Sequence, residues 1–279
     1  MSTLYITDLD GTFLGNDARV SPESASIVSE LSHRGALISV ATARTPATVV
    51  PLMADTYTTA PMVVMTGAGI WNRARDSFDN IITLSPSEAR AVMRGFDGTG
   101  VQPFCYTLGR ECLLEVYHAA PRLSAPEKAF VDERAGLALK HFNLGTSAPE
   151  AALDSMVLAF AMGPREAIVE VARRLSATTS CYVSYYKDTY TPDLWLLEVF
   201  AGGVSKASGV KALAKRLGAT RVVAFGDNLN DIPMLRAADV AVAVGNALDD
   251  VKAVADVVIG DNSTDAVARY IKKDFEASL

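Results

Sequence analysis

The sequence lacks the features that define several protein classes. It has only three cysteines and no Cys-x-x-Cys pair, and such a sparse, odd set is typical of a reducing compartment rather than of a disulfide-stabilised domain. No apolar run is long enough to span a bilayer. The first residues pass directly into a short predicted strand, without the basic and apolar stretches of a signal peptide. We therefore expect a cytoplasmic protein with no membrane partner.

Basic residues are also in deficit. The chain carries 26 Lys and Arg against 32 Asp and Glu, a formal net charge of −6, so it has no positive excess with which to neutralise a nucleic-acid backbone or an anionic membrane. Its 49% hydrophobic and 21% charged content is normal for a folded globular protein. We expect a small-molecule ligand, no nucleic-acid partner, and a monomer or homodimer.

Strand and helix signals alternate in both terminal parts of the chain. Strand-like runs at 4–7, 36–41 and 61–65 are separated by a helix that begins at Ser21-Pro22-Glu23, where serine is a good N-cap and proline suits the first turn. After Gly202 the pattern returns, with helices at 206–217 and 230–237, strands at 221–225, 239–244 and 257–259, and a final helix capped by Ser263. This alternation predicts an α/β fold with a doubly wound, Rossmann-like parallel sheet.

Residues 83–201 follow a different pattern. Ser85-Pro86-Ser87-Glu88 has the form of a capping box and predicts a helix to about residue 96. Strand-like segments at 112–117, 155–162, 181–186 and 194–200 surround an amphipathic helix at 165–175. We predict an α/β core formed by residues 1–82 and 202–279, interrupted by an inserted α+β domain at 83–201.

The sequence Asp8-Leu9-Asp10-Gly11-Thr12 follows the first predicted strand directly. Ligands bind at the carboxyl ends of strands in a parallel α/β sheet. Two carboxylates at positions i and i+2 allow one to attack a substrate while the other transfers protons. The alternative is an acidic turn in which Asp10 only caps a helix.

Three further features lie at element boundaries in the predicted core. Thr42 ends the second strand, Lys206 begins a helix, and the loop 226–231 places Asp227 and Asp231 after another strand. Taken singly, Thr42 is an ordinary strand end and Lys206 a surface residue. Together they provide a hydroxyl donor, a cation and the hard carboxylate oxygens that Mg²⁺ prefers, which is the set required for phosphoryl transfer.

These motifs resemble those of the haloacid dehalogenase superfamily of phosphatases, and the large insertion resembles its Cof-type branch. The resemblance covers essentially the whole chain. It implies that Asp8 is the nucleophile and Asp10 the general acid and then base. It also implies that Thr42 and Lys206 hold the phosphoryl group, and that Thr12, Arg44 and Asn230 contact the substrate or its phosphate. The implied Mg²⁺ ligands and their support are Asp8, the main chain of Asp10, Asp227 and Asp231.

Two segments depart from the family pattern. The second motif is Thr42-Ala43-Arg44 where Thr-Gly-Arg is usual, and Thr66-Gly67-Ala68 stands where Asn-Gly-Ala is frequent. The expected function is a Mg²⁺-dependent phosphatase acting on a small phosphate monoester, with a sugar phosphate as the leading substrate class. The alternatives are a mutase or phosphotransferase with the same chemistry, or a non-catalytic phospho-aspartate signalling protein.

Substrate specificity is expected to come from the inserted domain. Its candidate polar residues, each of which could instead belong to the surface or the core, are Arg110, His118, Tyr185, Tyr186 and Lys187.

Overall fold

The structure is a computed structural model that describes residues 2–188, 191 and 193–278. The chain divides into two compact units. Met1–Asn80 with Ser205–Leu279 form the first, here called the α/β unit, and Ile81–Val204 form the second, here called the inserted unit. The inserted unit begins two residues earlier and ends three residues later than the sequence predicted.

The described residues form these strands: β1 Thr3–Thr7, β2 Leu37–Val40, β3 Met62–Val64, β4 Gly69–Asn72, β5 Ser77–Ile81, β6 Phe104–Leu108, β7 Leu114–His118, β8 Lys140–Leu144, β9 Met156–Pro164, β10 Tyr182–Lys187, β11 Leu194–Phe200, β12 Arg221–Gly226, β13 Val240–Ala243 and β14 Val257–Val258. The α-helices are α1 Pro22–His33, α2 Pro46–Leu52, α3 Pro86–Gly95, α4 Ala125–Asp132, α5 Arg165–Thr178, α6 Lys206–Leu217, α7 Ile232–Ala237, α8 Asp249–Lys252 and α9 Ala266–Ala277. Among the described residues, no helix is both long and apolar enough to cross a membrane.

The α/β unit is organised around a parallel sheet in the order β14-β13-β12-β1-β2. A single bridge between Ala41 and Val63 connects β2 to β3, and β3 belongs to a separate sheet with β4 and β5. Near-continuous apolar runs such as Leu4-Tyr5-Ile6 are buried, as expected for parallel strands covered on both faces. The predicted α/β class with a parallel core sheet is confirmed.

The start of the last helix differs from the prediction. Ser263 lies in a short turn, Asn262–Thr264, and Asp265 is the N-cap of α9 with a φ of 55°. The Asp265 carboxylate accepts hydrogen bonds from the hydroxyls of Ser21 and Ser24 at the start of α1. The prediction that Ser263 caps this helix was wrong: the helix begins after Asp265, whose left-handed backbone and contacts with α1 are not part of the local pattern.

The inserted unit is built on a six-stranded sheet in the order β10-β11-β9-β6-β7-β8. Its strand pairs are antiparallel except for β7 and β8, and α3 and α5 pack against each other and against β9. The strand expected at 112–117 begins two residues later, because Glu111 and Cys112 have φ angles of 52° and 62°, incompatible with extended backbone. The sequence interpretation did not identify α4 or β8.

Candidate active site

The carboxyl ends of three adjacent strands meet at the Asp8 motif. The Asp8 amide donates to the carbonyl oxygen of Phe225 at 3.0 Å, and the Ala41 amide donates to that of Thr7 at 2.8 Å. The ends of β12, β1 and β2 therefore lie side by side, at the edge where parallel sheets bind ligands. Asp8 is only 6% exposed there.

Lys206 joins two of the predicted carboxylates. Its Nζ lies 2.5 Å from Oδ1 of Asp8 and 2.7 Å from Oδ1 of Asp231. All three side chains are buried. Buried charges are tolerated only when they are paired and hydrogen-bonded. Lys206, Asp8 and Asp231 thus form one buried, charged group, which we call the Lys206 cluster. Lys206 is 198 positions from Asp8 and 25 from Asp231 in the sequence.

The loop after β3 supports the helix that carries Lys206. Residues Met65, Thr66 and Gly67 have φ angles of 50°, 56° and 99°, and a Cβ atom on Gly67 would overlap the carbonyl oxygen of Ser205. Ser205 is the N-cap of α6, its hydroxyl accepting from the Ser208 amide at 3.1 Å. Sequence reasoning missed this support, although the glycine at the end of a predicted strand was a signal for it.

The Asp227 loop is tied to both Asp231 and Thr12. Oδ2 of Asp231 accepts hydrogen bonds from the amides of Asp227 and Asn228, each at 3.1 Å. The Thr12 hydroxyl donates to Oδ1 of Asp227 at 2.8 Å. Gly11 has a φ of 76°, and a Cβ there would overlap the Asp227 carboxylate. Glycine is therefore required at position 11 for two independent reasons.

The carboxylates form a donor set suited to a metal ion. One oxygen from each of Asp8, Asp227 and Asp231 lies within 4.8 Å of the others. Burial raises the pKa of Asp227 to about 6. Burial also raises the pKa of Asp8, against the opposing effect of Lys206. One ammonium therefore does not fully compensate this concentration of negative charge, and the hard oxygen ligands fit a divalent cation.

Lys206 stays protonated in this setting. Burial works against its charge, but the carboxylates of Asp231 and Asp8 more than offset that effect and raise its pKa. The side chain is therefore a fixed cation beside Asp8.

Asp10 lies outside the Lys206 cluster. Its carboxylate accepts hydrogen bonds from Nε of Arg44 at 2.8 Å and from Nη2 at 2.6 Å, and the Asp10 side chain is 53% exposed. The Arg44 amide donates to the buried Thr42 hydroxyl at 3.1 Å. The structure thus links Thr42, Arg44 and Asp10 into a second group at the same edge of the sheet.

Asn230, although predicted as a site residue, does not belong to the Lys206 cluster. It is exposed in the turn before α7, and it takes no part in the hydrogen bonds of the Lys206 cluster described above. Thr66, which stands where the family frequently has asparagine, has a buried hydroxyl with no partner among the described residues.

Sequence reasoning also missed Asn246. Its side-chain amide donates to the carbonyl oxygen of Gly11 at 2.8 Å, and its Oδ1 accepts from the Asn262 amide at 2.9 Å. Asn262 in turn donates to the carbonyl oxygen of Leu14 at 2.8 Å. These contacts fix the loop after β1. The signal was present, because Asn246 closely follows the carboxyl end of β13.

The candidate specificity residues of the inserted unit fall into two groups. His118 is fully buried and its Nε2 lies 3.2 Å from Glu127, whose carboxylate also accepts from the Ser124 amide at the start of α4. His118 is therefore a core residue. The remaining candidates are all exposed: Arg110, Tyr185, Tyr186 and Lys187.

Comparison with known proteins identifies the family. The model of the haloacid dehalogenase-like hydrolases matches residues 5–271. The chain is 25% identical over 280 residues to 5-amino-6-(5-phospho-D-ribitylamino)uracil phosphatase of Bacillus subtilis (strain 168), covering 98% of this chain and 97% of that protein. It is 49% identical to pyridoxal phosphate phosphatase of Escherichia coli (strain K12), but over only 77 residues, or 28% of that relative's length.

The fold is also similar to that of solved structures from this superfamily. A solved structure of a sugar phosphatase of subclass IIB of the superfamily matches with a TM-score of 0.73, covering 99% of each chain at 23% identity. The predicted membership of the superfamily is confirmed. This chain therefore belongs to the haloacid dehalogenase-like hydrolases, and it is a phosphatase enzyme.

Proposed function

We propose that the chain is a Mg²⁺-dependent phosphatase that hydrolyses a small phosphate monoester through an aspartyl-phosphate on Asp8. The observation that carries this proposal is the pairing of Asp8 with Lys206 in a group of three carboxylates, of which Asp8 and Asp231 are buried. A nucleophilic carboxylate beside a fixed cation and an acidic metal site is the arrangement needed for phosphoryl transfer.

In the first half-reaction an oxygen of Asp8 forms a bond to phosphorus while the ester P–O bond breaks. Asp10 gives its proton to the departing alkoxide, which is otherwise a poor leaving group. Lys206 and the Thr42 hydroxyl stabilise the transferring phosphoryl oxygens, and Asp231 fixes Lys206 through their 2.7 Å hydrogen bond. Mg²⁺ bound by Asp8, Asp227 and the main-chain oxygen of Asp10 would supply the charge neutralisation that lets a carboxylate approach a phosphate.

In the second half-reaction water attacks the phosphorus of the aspartyl-phosphate. Asp10, now a carboxylate, takes a proton from that water, the bond between phosphorus and Asp8 breaks, and inorganic phosphate leaves. Asp10 is paired with Arg44 through two hydrogen bonds. We propose that Arg44 also contacts the substrate, together with Thr12 and Asn230.

The substrate class in this proposal is a sugar phosphate or a related phosphorylated metabolite. The relative that the chain matches over 97% of its length is a 5-amino-6-(5-phospho-D-ribitylamino)uracil phosphatase, and a structural neighbour is a sugar phosphatase. We propose that the inserted unit acts as a cap domain that selects this substrate.

The test compares Asp8→Asn with the wild type on a panel of about a hundred phosphate esters, with Asp17→Asn, an exposed position in the same unit, as the matched control. We expect Asp8→Asn to remove turnover while the circular dichroism spectrum is retained, because an amide cannot serve as the nucleophile. Rapid quench followed by peptide mass analysis should locate the phosphate on Asp8 of the wild type. Phosphate on another residue, or normal turnover by Asp8→Asn, would refute the mechanism.

A further inference from the structure

A buried lysine in the inserted unit stands apart from the expected site residues. Lys140 begins β8 and is only 6% exposed. Its Nζ lies 5.3 Å from the ring centroid of Tyr106 and 5.9 Å from that of Phe142. Lysine is rarely buried unless it is paired, so its position calls for a physical explanation.

The strand pairing places these side chains on one face of the sheet. Tyr106 pairs with Val116 on β7, and Val116 pairs with Phe142 on β8. Lys140 precedes Phe142 by two residues and therefore shares its face, since side chains alternate along a strand. The aromatic rings contact the lysine as cation–π partners, but they cannot balance its charge as a carboxylate would.

A second cation lies in the same region, where the ring centroid of Phe130 is 6.3 Å from that of Phe142. Arg134 follows α4, and its guanidinium carbon lies 4.2 Å from the ring centroid of Phe130. Its Nη1 donates to Glu133 at 2.7 Å and to the carbonyl oxygen of Phe130 at 3.1 Å. The guanidinium therefore keeps donors beyond those used by Glu133 and the backbone.

Lys140 has no carboxylate partner in the part of the chain that the structure describes. Burial, together with the positive charge of Arg134, lowers the pKa of Lys140 to about 7. Among the described residues, Lys140 forms no ion pair or hydrogen bond with an acidic side chain. Besides Lys140, the charged groups that act on the Tyr106 hydroxyl are Arg134 and Glu198, and Glu198 is itself hydrogen-bonded to Tyr186.

We propose that Lys140 and Arg134 form an anion-binding site in the inserted unit, which we call the Lys140 site, for a carboxylate, sulfate or phosphate group. An anion bound there would balance the positive charge of Lys140. It would accept charge-assisted hydrogen bonds from both Lys140 and Arg134. The buried ring of Tyr106 and the partly buried rings of Phe142 and Phe130 lower the local dielectric constant, which strengthens those interactions. The anion is either a free inorganic ion or a second charged group on a phosphorylated substrate.

Binding at this site is linked to protonation of the amine. The anion favours the ammonium form, so its binding raises the pKa of Lys140, and the protein takes up a proton when it binds at pH 8. Sulfate affinity should fall about tenfold per pH unit above the ligand-free pKa, until the pKa of the complex is reached.

The experiment uses the full chain with lysines labelled with ¹³C and ¹⁵N and follows the Cε and Nζ resonances by NMR. Lys140→Met assigns the Lys140 signal. Sulfate is the first probe because it keeps its charge throughout the titration, and acetate is the second. We expect sulfate to raise the Lys140 midpoint by at least one pH unit. A midpoint that neither ion moves would overturn the proposal.

Two variants test the composition of the site. Arg134→Met should weaken sulfate binding at the Lys140 signal about tenfold or more. Lys128→Met should not, because Lys128 is an exposed residue of α4 paired with Asp132. Equal effects of the two variants, or none from either, would count against the site. The Lys206 signal reports any sulfate bound in the α/β unit, so the two locations are distinguished within one spectrum.

Kinetic measurements distinguish the two sources of the anion, and only this part of the test rests on the proposed function. The substrates are a phosphate ester that carries a carboxylate and the same ester with that group as a neutral amide. If the site binds the substrate, Lys140→Met should raise KM at least tenfold for the carboxylate ester only. If it binds a free ion, KM should be unchanged for both esters while sulfate still moves the Lys140 signal.

Discussion

Gly67 contacts Ser205 so closely that any Cβ atom at position 67 would overlap the Ser205 carbonyl oxygen. This contact joins the loop after β3 to the start of α6, one residue before Lys206. Gly209 reinforces it, since a Cβ there would lie 2.9 Å from the Gly67 Cα atom. The position of the Lys206 ammonium beside Asp8 therefore depends on two glycines that have no chemical role of their own.

Gly67→Ala should destabilise the protein and reduce its activity. The left-handed backbone costs an alanine about 1–2 kcal/mol, and the overlap with Ser205 adds about 1–3 kcal/mol. Gly35→Ala is the matched control, because Gly35 has a similar φ of 95° with no atom within 4 Å of its added Cβ. Urea unfolding should show the larger loss for Gly67→Ala. Equal losses of unfolding free energy in the two variants would mean that overlap with Ser205 adds nothing to the cost of the substitution.

Lys206→Met should abolish turnover and lower the stability of the metal-free protein. Removing the ammonium leaves Asp8 and Asp231 buried without their cation, a change that typically costs about 3–5 kcal/mol. Divalent metal should restore part of this loss, because it supplies positive charge to the same carboxylates. Thermal unfolding with and without Mg²⁺ measures both effects. Lys211→Met, at an exposed position of the same helix, should change stability by less than about 0.5 kcal/mol.

Asp10→Asn should reduce the rate by a factor on the order of 10²–10⁴, as expected for the loss of one acid–base group. The reduction should be smaller for an activated aryl phosphate, whose leaving group needs no proton. With that substrate the first step continues while hydrolysis slows, so phosphorylated Asp8 should accumulate in rapid-quench samples. Equal slowing of good and poor leaving groups, without a phospho-enzyme, would show that Asp10 does not have this role.

Asp227→Asn should weaken Mg²⁺ binding without removing the Thr12 contact. The asparagine retains one oxygen that can accept from the Thr12 hydroxyl, which donates to Asp227 at 2.8 Å, but it lacks the charge that a hard divalent cation prefers. Activity should then require a higher Mg²⁺ concentration, while excess chelator should stop both the variant and the wild type. Turnover in chelator after complete metal removal would contradict a metal-dependent reaction.

Asp274→Asn should destabilise the α/β unit in a pH-dependent way. The Asp274 carboxylate accepts from Arg221 at 2.6 and 3.0 Å and from the Tyr5 hydroxyl at 2.8 Å. These bonds hold its pKa below the ordinary value. Its contribution, about 1–3 kcal/mol, is therefore present above the unfolded-state pKa near 3.9 and is lost as pH falls through the lower folded-state value.

Urea unfolding between pH 7 and pH 3 measures this dependence. The difference between wild type and Asp274→Asn should be largest at pH 7 and should shrink below pH 4. Asp55→Asn, at an exposed position, serves as the control and should show no such trend. A difference that stayed constant over the whole range would mean that the carboxylate charge is not responsible.

Local patterns in the sequence determined the fold class and indicated most residues of the candidate site. The apolar run before Asp8 and the loop at 226–231 were enough to locate two strand ends, because a strand and the residues that follow it are adjacent in the chain. The helix at 206–217 was predicted with the bounds it has in the structure. These features depend on residues close in sequence, so the sequence alone could reveal them.

Only the tertiary structure determined which charged side chains contact each other. Three contacts join residues distant in the chain: those of Lys206 with Asp8 and Asp231, of Gly67 with Ser205, and of Asp265 with Ser24. No local pattern encodes such a contact, since its energy appears only when the chain brings both partners together and removes them from water. For the same reason Lys140 was not recognised from the sequence, because it is distinguished by its burial beside aromatic rings and a second cation.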